Sequence, residues 1–68
     1  MTKIWFLLEE DGQPRRPPFE TVQDAKEAGE ELVTRGLPLL ITRLSGMVAS
    51  VGWRYDYEVS DWVETPLP

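Results

Sequence analysis

The chain has neither cysteine nor histidine among its 68 residues. Without Cys there is no disulfide framework, no thiolate nucleophile and no Cys-based zinc or iron–sulfur site. Without His the usual general base near neutral pH is missing, as is the commonest transition-metal ligand. Serine–histidine and cysteine–histidine chemistry are thereby excluded. Long hydrophobic runs are lacking too. The longest, Ile4-Trp5-Phe6-Leu7-Leu8, is too short to span a bilayer and runs straight into Glu9-Glu10-Asp11. It makes a poor signal peptide, with one Lys before it and no small-residue cleavage site after it. A soluble, cytoplasmic protein without membrane association is expected. Basic residues are in deficit: 7 Lys+Arg against 12 Asp+Glu give a formal charge of −5 and a pI near 4.5.

Apolar residues are well supplied. A 41% hydrophobic content with three Trp argues against intrinsic disorder. The length allows one domain, residues 1–68. A single core in so short a chain supplies only about 3–5 kcal/mol, so the apolar residues must be used efficiently.

Lys3 to Glu9 reads as a strand, with Ile4, Phe6 and Leu8 on one face and Trp5, Leu7 and Glu9 on the other. Asp11-Gly12 is a turn signal. Gln13-Pro14-Arg15-Arg16-Pro17-Pro18 reads as an exposed loop, because Pro fixes φ and lacks an N–H donor. Thr21 opens a helix in a capping-box-like pattern with Asp24. Val22, Ala25, Gly29, Leu32 and Val33 form its narrow buried stripe, and Gly36 with Pro38 ends it. The small residues Ala25 and Gly29 let the helix sit close on a sheet. Leu39 to Leu44 is a second strand, and Ser45-Gly46 a hairpin signal. From Met47 the chain alternates: Met47, Ala49, Val51, Trp53, Tyr55, Tyr57 and Val59 on one face, polar residues largely on the other, with a bulge expected near Gly52. After Ser60-Asp61, Trp62-Val63-Glu64 is a short further strand or a tail packing Trp62 on the sheet.

The expected fold is α+β: a small, mostly antiparallel sheet of three to four strands with one helix on one face, in the order β-α-β-β with a possible short fourth strand. The second sheet face has nothing to cover it. Its exposed set comes from Trp5, Leu7, Leu39 and Ile41 or from Trp53, Tyr55 and Tyr57, depending on register.

Charge is the most ordered functional signal. Glu20, Asp24, Glu27 and Glu31 recur at intervals of 4, 3 and 4 residues and form one line along the helix, with Glu30 beside it. At a rise of about 1.5 Å per residue these charges stand some 4.5–6 Å apart, a scale comparable to the charge spacing of a nucleic-acid backbone. A solvated helix face is the ordinary reading of such a pattern. Two features favour more than that: like charges at i,i+4 do not favour a helix, and acid recurs near the C-terminus in Asp56, Glu58, Asp61 and Glu64. Residues 20–36 carry a net −3 and residues 56–68 a net −4, while residues 37–55 carry +2. The candidate partner-binding residues are therefore Glu20, Asp24, Glu27, Glu30, Glu31, Asp56, Glu58 and Asp61.

Trp53-x-Tyr55-x-Tyr57 resembles a base-stacking platform, yet such sites need a basic groove, and only Arg43 and Arg54 lie near. Direct nucleic-acid binding is not expected; core packing or a protein-interaction patch is. Glu9, Glu10 and Asp11 read as exposed turn charge, since their spacing fits no calcium loop. The glycines form no phosphate loop. No catalytic residue, metal site or cofactor is expected.

Two stretches carry a resemblance: Phe19-Glu-Thr-Val-Gln-Asp-Ala-Lys26, and Leu39 to Trp62 with Ser45-Gly46, Trp53-Arg-Tyr55 and Trp62-Val63. With the first strand they resemble the small sheet-plus-helix anti-CRISPR proteins that phages encode against type I surveillance complexes. Members of that kind bind Cas subunits, some through acidic surfaces that imitate DNA and others through basic residues. The acidity of this chain fits the former. The resemblance implies a non-enzymatic inhibitor, in the host cytoplasm if phage-encoded, that binds a Cas subunit's basic nucleic-acid-binding surface and blocks target DNA recognition; a monomer rather than a dimer is expected. The alternative is a small interaction or accessory module of a bacterial or phage operon, binding a partner or itself through an aromatic sheet face.

Overall fold

A computed structural model describes residues 3–46 and 48–66. Met47 and Pro68, which the sequence reading places in a strand and an extended tail, lie outside these. Strand β1 (Ile4–Glu10) turns into β2 (Gln13–Phe19), followed by helix α1 (Val22–Glu30) and a 3₁₀ turn (Val33–Arg35). Strands β3 (Leu39–Ser45), β4 (Val48–Asp56) and β5 (Asp61–Pro66) complete the chain. They form one five-stranded sheet in the order β2-β1-β3-β4-β5, with every neighbouring pair antiparallel.

The fold is α+β with one helix, but the sheet has five strands rather than three or four. The additional strand is β2, in the stretch expected to be a loop. Its prolines are tolerated because β2 is an edge strand and because its ladder is interrupted: Leu8 pairs with Arg15 and Phe6 with Phe19, leaving Arg16, Pro17 and Pro18 in an irregularity opposite Leu7. Asp11 and Gly12, at φ 52° and 80°, form the tight two-residue connection between β1 and β2. Trp62-Val63-Glu64 is part of a strand, β5, and not a tail.

Strands β2 and β3 lie on opposite sides of β1. The chain must cross β1 to join them, and α1 is that crossing, packed on β1, β2 and β3. Thr21 caps the helix, its Oγ1 accepting from the Asp24 amide at 3.1 Å. The helix ends earlier than the Gly36 signal implied. After Glu30 the bonds tighten, with Leu32 N–H donating to Gly29 O, and Gly36 closes the 3₁₀ turn in the left-handed region.

Register decides the faces. Leu8 pairs with Ile41, Ile41 with Trp53, and Tyr55 with Trp62, so these residues all face the helix. Leu8, Ala25, Leu39, Ile41 and Trp62 are the buried core, with Phe6, Phe19, Val22, Leu32, Trp53 and Tyr55 packed against it. Each large aliphatic side chain taken out of water here contributes about 1.5–3 kcal/mol. The helix-free face carries Trp5, Leu7, Leu40 and Leu44, all half-buried. Leu39 and Ile41 do not share that face with Trp5 and Leu7: they lie one residue out of phase, in the core. The bulge in β4 is at Ser50, between the pairs Arg43–Val51 and Leu44–Ala49, rather than at Gly52, which sits regularly opposite Thr42. It turns Ala49 to the face opposite Val51, which ends the expected uniform alternation. Tyr57 and Val59 fall in the β4–β5 turn, not on the strand.

Candidate functional site

The outer face of α1 presents the acidic line. Asp24, Glu27 and Glu30 are exposed on the helix, and Glu31, the residue after it, keeps helical angles (φ −66°, ψ −21°) and continues the line. Among the described residues none of these four carboxylates makes an ion pair. The nearest side-chain partner is a neutral one, Gln23 Nε2 at 3.4 Å from Glu27 Oε2. No basic residue occupies the last turn of α1. Carboxylates there oppose the helix dipole, which favours cations at that end.

Glu20 differs from the other four. It precedes the cap, and its Oε1 lies 3.2 Å from Lys3 Nζ in an exposed ion pair. Such a pair adds little stability, but it masks one charge of the line. The same Lys3 ammonium stands 4.4 Å from the Trp5 ring centroid.

Asp56, Glu58 and Asp61 belong to a separate group at the β4–β5 turn. Asp56 Oδ1 accepts from the Glu58 amide at 2.9 Å, and Asp61 Oδ1 from the Trp62 amide at 2.8 Å. Two of these three carboxylates thus hold backbone amides. The turn lies at the end of the sheet where β1 meets β2, because Arg54 pairs with Leu40 and Glu10 with Leu39. The helix also finishes at this end. Between the elements that carry the two groups, the Trp62 ring of β5 fits against Gly29 of the helix.

Sequence reasoning missed the buried acid. Glu10 is only 5% exposed, not a free turn charge. Its Oε1 lies 3.5 Å from Arg15 Nη1 and its Oε2 3.1 Å from Arg35 Nε. The Arg35 contact is an ion pair without hydrogen-bond alignment, so Oε2 has charge compensation but no donor aimed at it. The signal was available: Glu10 continues the series Ile4, Phe6, Leu8 on the core-facing side of β1. Trp53 and Tyr55 face the helix and pack in the core layer, and Tyr57 donates its hydroxyl to Leu37 O at 2.6 Å. Tyr55 meets Tyr57 and Trp62 edge-on, with centroids 5.0 and 5.1 Å apart. Trp53 and Tyr55 thus belong to the core layer, with the exposed Tyr57 at its margin, and the three do not form an open platform.

Among the described residues no three Asp or Glu side chains converge to hold a metal ion, and no helix is long and apolar enough to cross a membrane. The site offers fixed negative charge at helical spacing, suited to binding cations on another molecule. Comparisons with protein-family models, with curated proteins and with solved structures found no match for the chain.

Proposed function

We propose that the protein is a non-enzymatic ligand of another protein, its acidic helix face taking the place of a nucleic-acid backbone on a basic surface. The observation that carries this reading is the set of four exposed carboxylates, Asp24, Glu27, Glu30 and Glu31, which make no ion pair among the described residues although the chain has seven basic residues. A solvated face serving only solubility has no need of acid at the helix C-terminus, where the dipole disfavours it. The partner is a Cas subunit of a type I surveillance complex, in keeping with the resemblance carried by residues 19–26 and 39–62. Asp56, Glu58 and Asp61 extend the negative field around the same end of the molecule, which steers encounter with a positive surface.

The test is competition. Purified type I complex is titrated with target duplex in the presence of the protein, at increasing salt. Inhibition that weakens with salt and is lost in the Glu27→Lys, Glu30→Lys double variant supports the reading. Inhibition unchanged by that double charge reversal overturns the acidic face, and no inhibition at all overturns the partner.

A second reading rests on the helix-free sheet face, where Trp5, Leu7, Leu40 and Leu44 lie on one side of the sheet and no element among the described residues covers them. Here the protein is an interaction module that binds or self-associates through that face. Light scattering across a concentration series distinguishes the two: a dimer dissociated by Leu40→Glu selects this reading.

A further inference from the structure

A cleft of about 270 Å³ opens between β2 and the C-terminal half of α1. Its floor is apolar: buried Leu8 with half-buried Phe19, Ala28 and Leu32. Pro17 and Pro18 form one wall. Their fixed φ makes that wall stiff and preformed, which lowers the ordering cost of binding. The two rims carry opposite charge. Arg15 and Arg16 stand on the β2 side and Glu31 on the helix side. They do not neutralise one another. Arg15 is drawn to Glu10, and neither Arg16 nor Glu31 makes an ion pair among the described residues.

We propose that this cleft is a docking site for one bulky apolar side chain of a partner segment, with a basic residue on its helix side and an acidic residue on its β2 side. The volume lies below the roughly 300–1,000 Å³ of sites that enclose drug-sized ligands, and it suits a single anchoring side chain. The rim charges select the flanks. A nucleic-acid strand is disfavoured because Glu31 repels phosphate, and a uniformly basic segment because Arg16 repels it. The proposal goes beyond the acidic helix face and shares with it only Glu31, which borders both.

The experiment is an NMR titration of the full chain with four capped tripeptides: Lys-Phe-Glu and Glu-Phe-Lys, and the same pair with Ala replacing Phe. The expected result is amide shifts at Phe19, Ala28 and Leu32 with one or both Phe peptides and none with the Ala peptides. Ala28→Arg, which fills the cleft, abolishes the shifts. Should that variant not fold, Arg16→Glu on the exposed rim serves instead and weakens binding about threefold, the scale of one exposed charge pair. The Glu27→Lys, Glu30→Lys variant retains peptide binding, which separates failure of the cleft from failure of the acidic face. Shifts that are absent, indifferent to Phe, or centred on Trp5, Leu7 and Leu40 overturn the proposal.

Discussion

Gly29 of the helix and Trp62 of β5 meet so closely that a methyl group on Gly29 would lie 2.7 Å from the indole Cη2 and Cζ2. Leu8 Cδ1 would stand 3.3 Å away on another side. The indole is rigid and is held by Tyr55 edge-on at 5.1 Å, so it cannot retreat as the end of a flexible chain would. Here the helix gives up about 1 kcal/mol of propensity to let the sheet's outermost strand reach the core. Gly29→Ala therefore sets a propensity gain of about 1 kcal/mol against overpacking of about 1–3 kcal/mol. The expected net result is a loss of about 1 kcal/mol in urea unfolding. In a Trp62→Leu background the same change becomes stabilising. A Gly29→Ala protein more stable than its parent would contradict the packing described.

The Glu10 cluster predicts an asymmetry. Glu10 is buried, whereas the Arg15 and Arg35 side chains are 48% and 54% exposed. Removing Glu10 returns two guanidinium groups to water that already reaches them. Removing Arg35 leaves a buried carboxylate with one long contact to Arg15. Glu10→Met should stay within about 1 kcal/mol of the parent, since an apolar replacement of a buried charge is often neutral. Arg35→Ala should lose about 2 kcal/mol, discounted from the fully buried case because the Arg35 side chain is itself half exposed. Thermal unfolding of the two variants at one pH reads the order, and the reverse order refutes this account.

The contrast between Glu10 and Asp24 also marks what a linear reading can reach. Local patterns were legible: the Thr21 cap, the buried Ala25 and Gly29 stripe, the strand from Leu39, and the exposed acids on α1 all follow from spacing within a few residues. What failed depended on partners far along the chain. Prolines forbid a central strand but not an edge one, and only the pairing with β1 makes Gln13–Phe19 a strand. The Ser50 bulge is set by β3, so it could not be placed from the alternation of β4 alone. Lys3 masks Glu20 across 17 positions of sequence. The cleft is invisible to a linear reading for the same reason, since one of its walls is β2, whose prolines alone predict a loop.

The acidic helix face carries a stability prediction separate from binding. Glu27 lies one turn from Glu30 and Glu31, and like charges at that spacing destabilise a helix by a few tenths of a kcal/mol each. Glu30 also faces the unfavourable end of the dipole, with no basic residue in the last turn. Glu30→Lys should raise stability by about 0.5 kcal/mol at low salt, and the gain should shrink as salt screens it. Combined with weaker partner binding, that outcome identifies charge held against the helix's own preference. A variant neutral or less stable at low salt shows instead that the native acids already suit the helix.

Both edge strands withhold some of their amides, and on β5 one substitution can release one of them. Edge strands offer unpaired amides to other chains. On β2 the three prolines Pro14, Pro17 and Pro18 remove donors outright. On β5 the Trp62 amide is instead held by the Asp61 carboxylate at 2.8 Å, and Pro66 closes the strand. Asp61→Ala releases that amide at the edge while leaving the Trp62 ring in the core. The expected consequences are faster hydrogen exchange at Trp62 and self-association that grows with concentration, read by light scattering. Asp61→Asn, whose side-chain oxygen can still accept, should stay close to the parent. If Asp61→Ala remains as dispersed as the parent and its Trp62 amide exchanges no faster, the carboxylate is not what protects this edge.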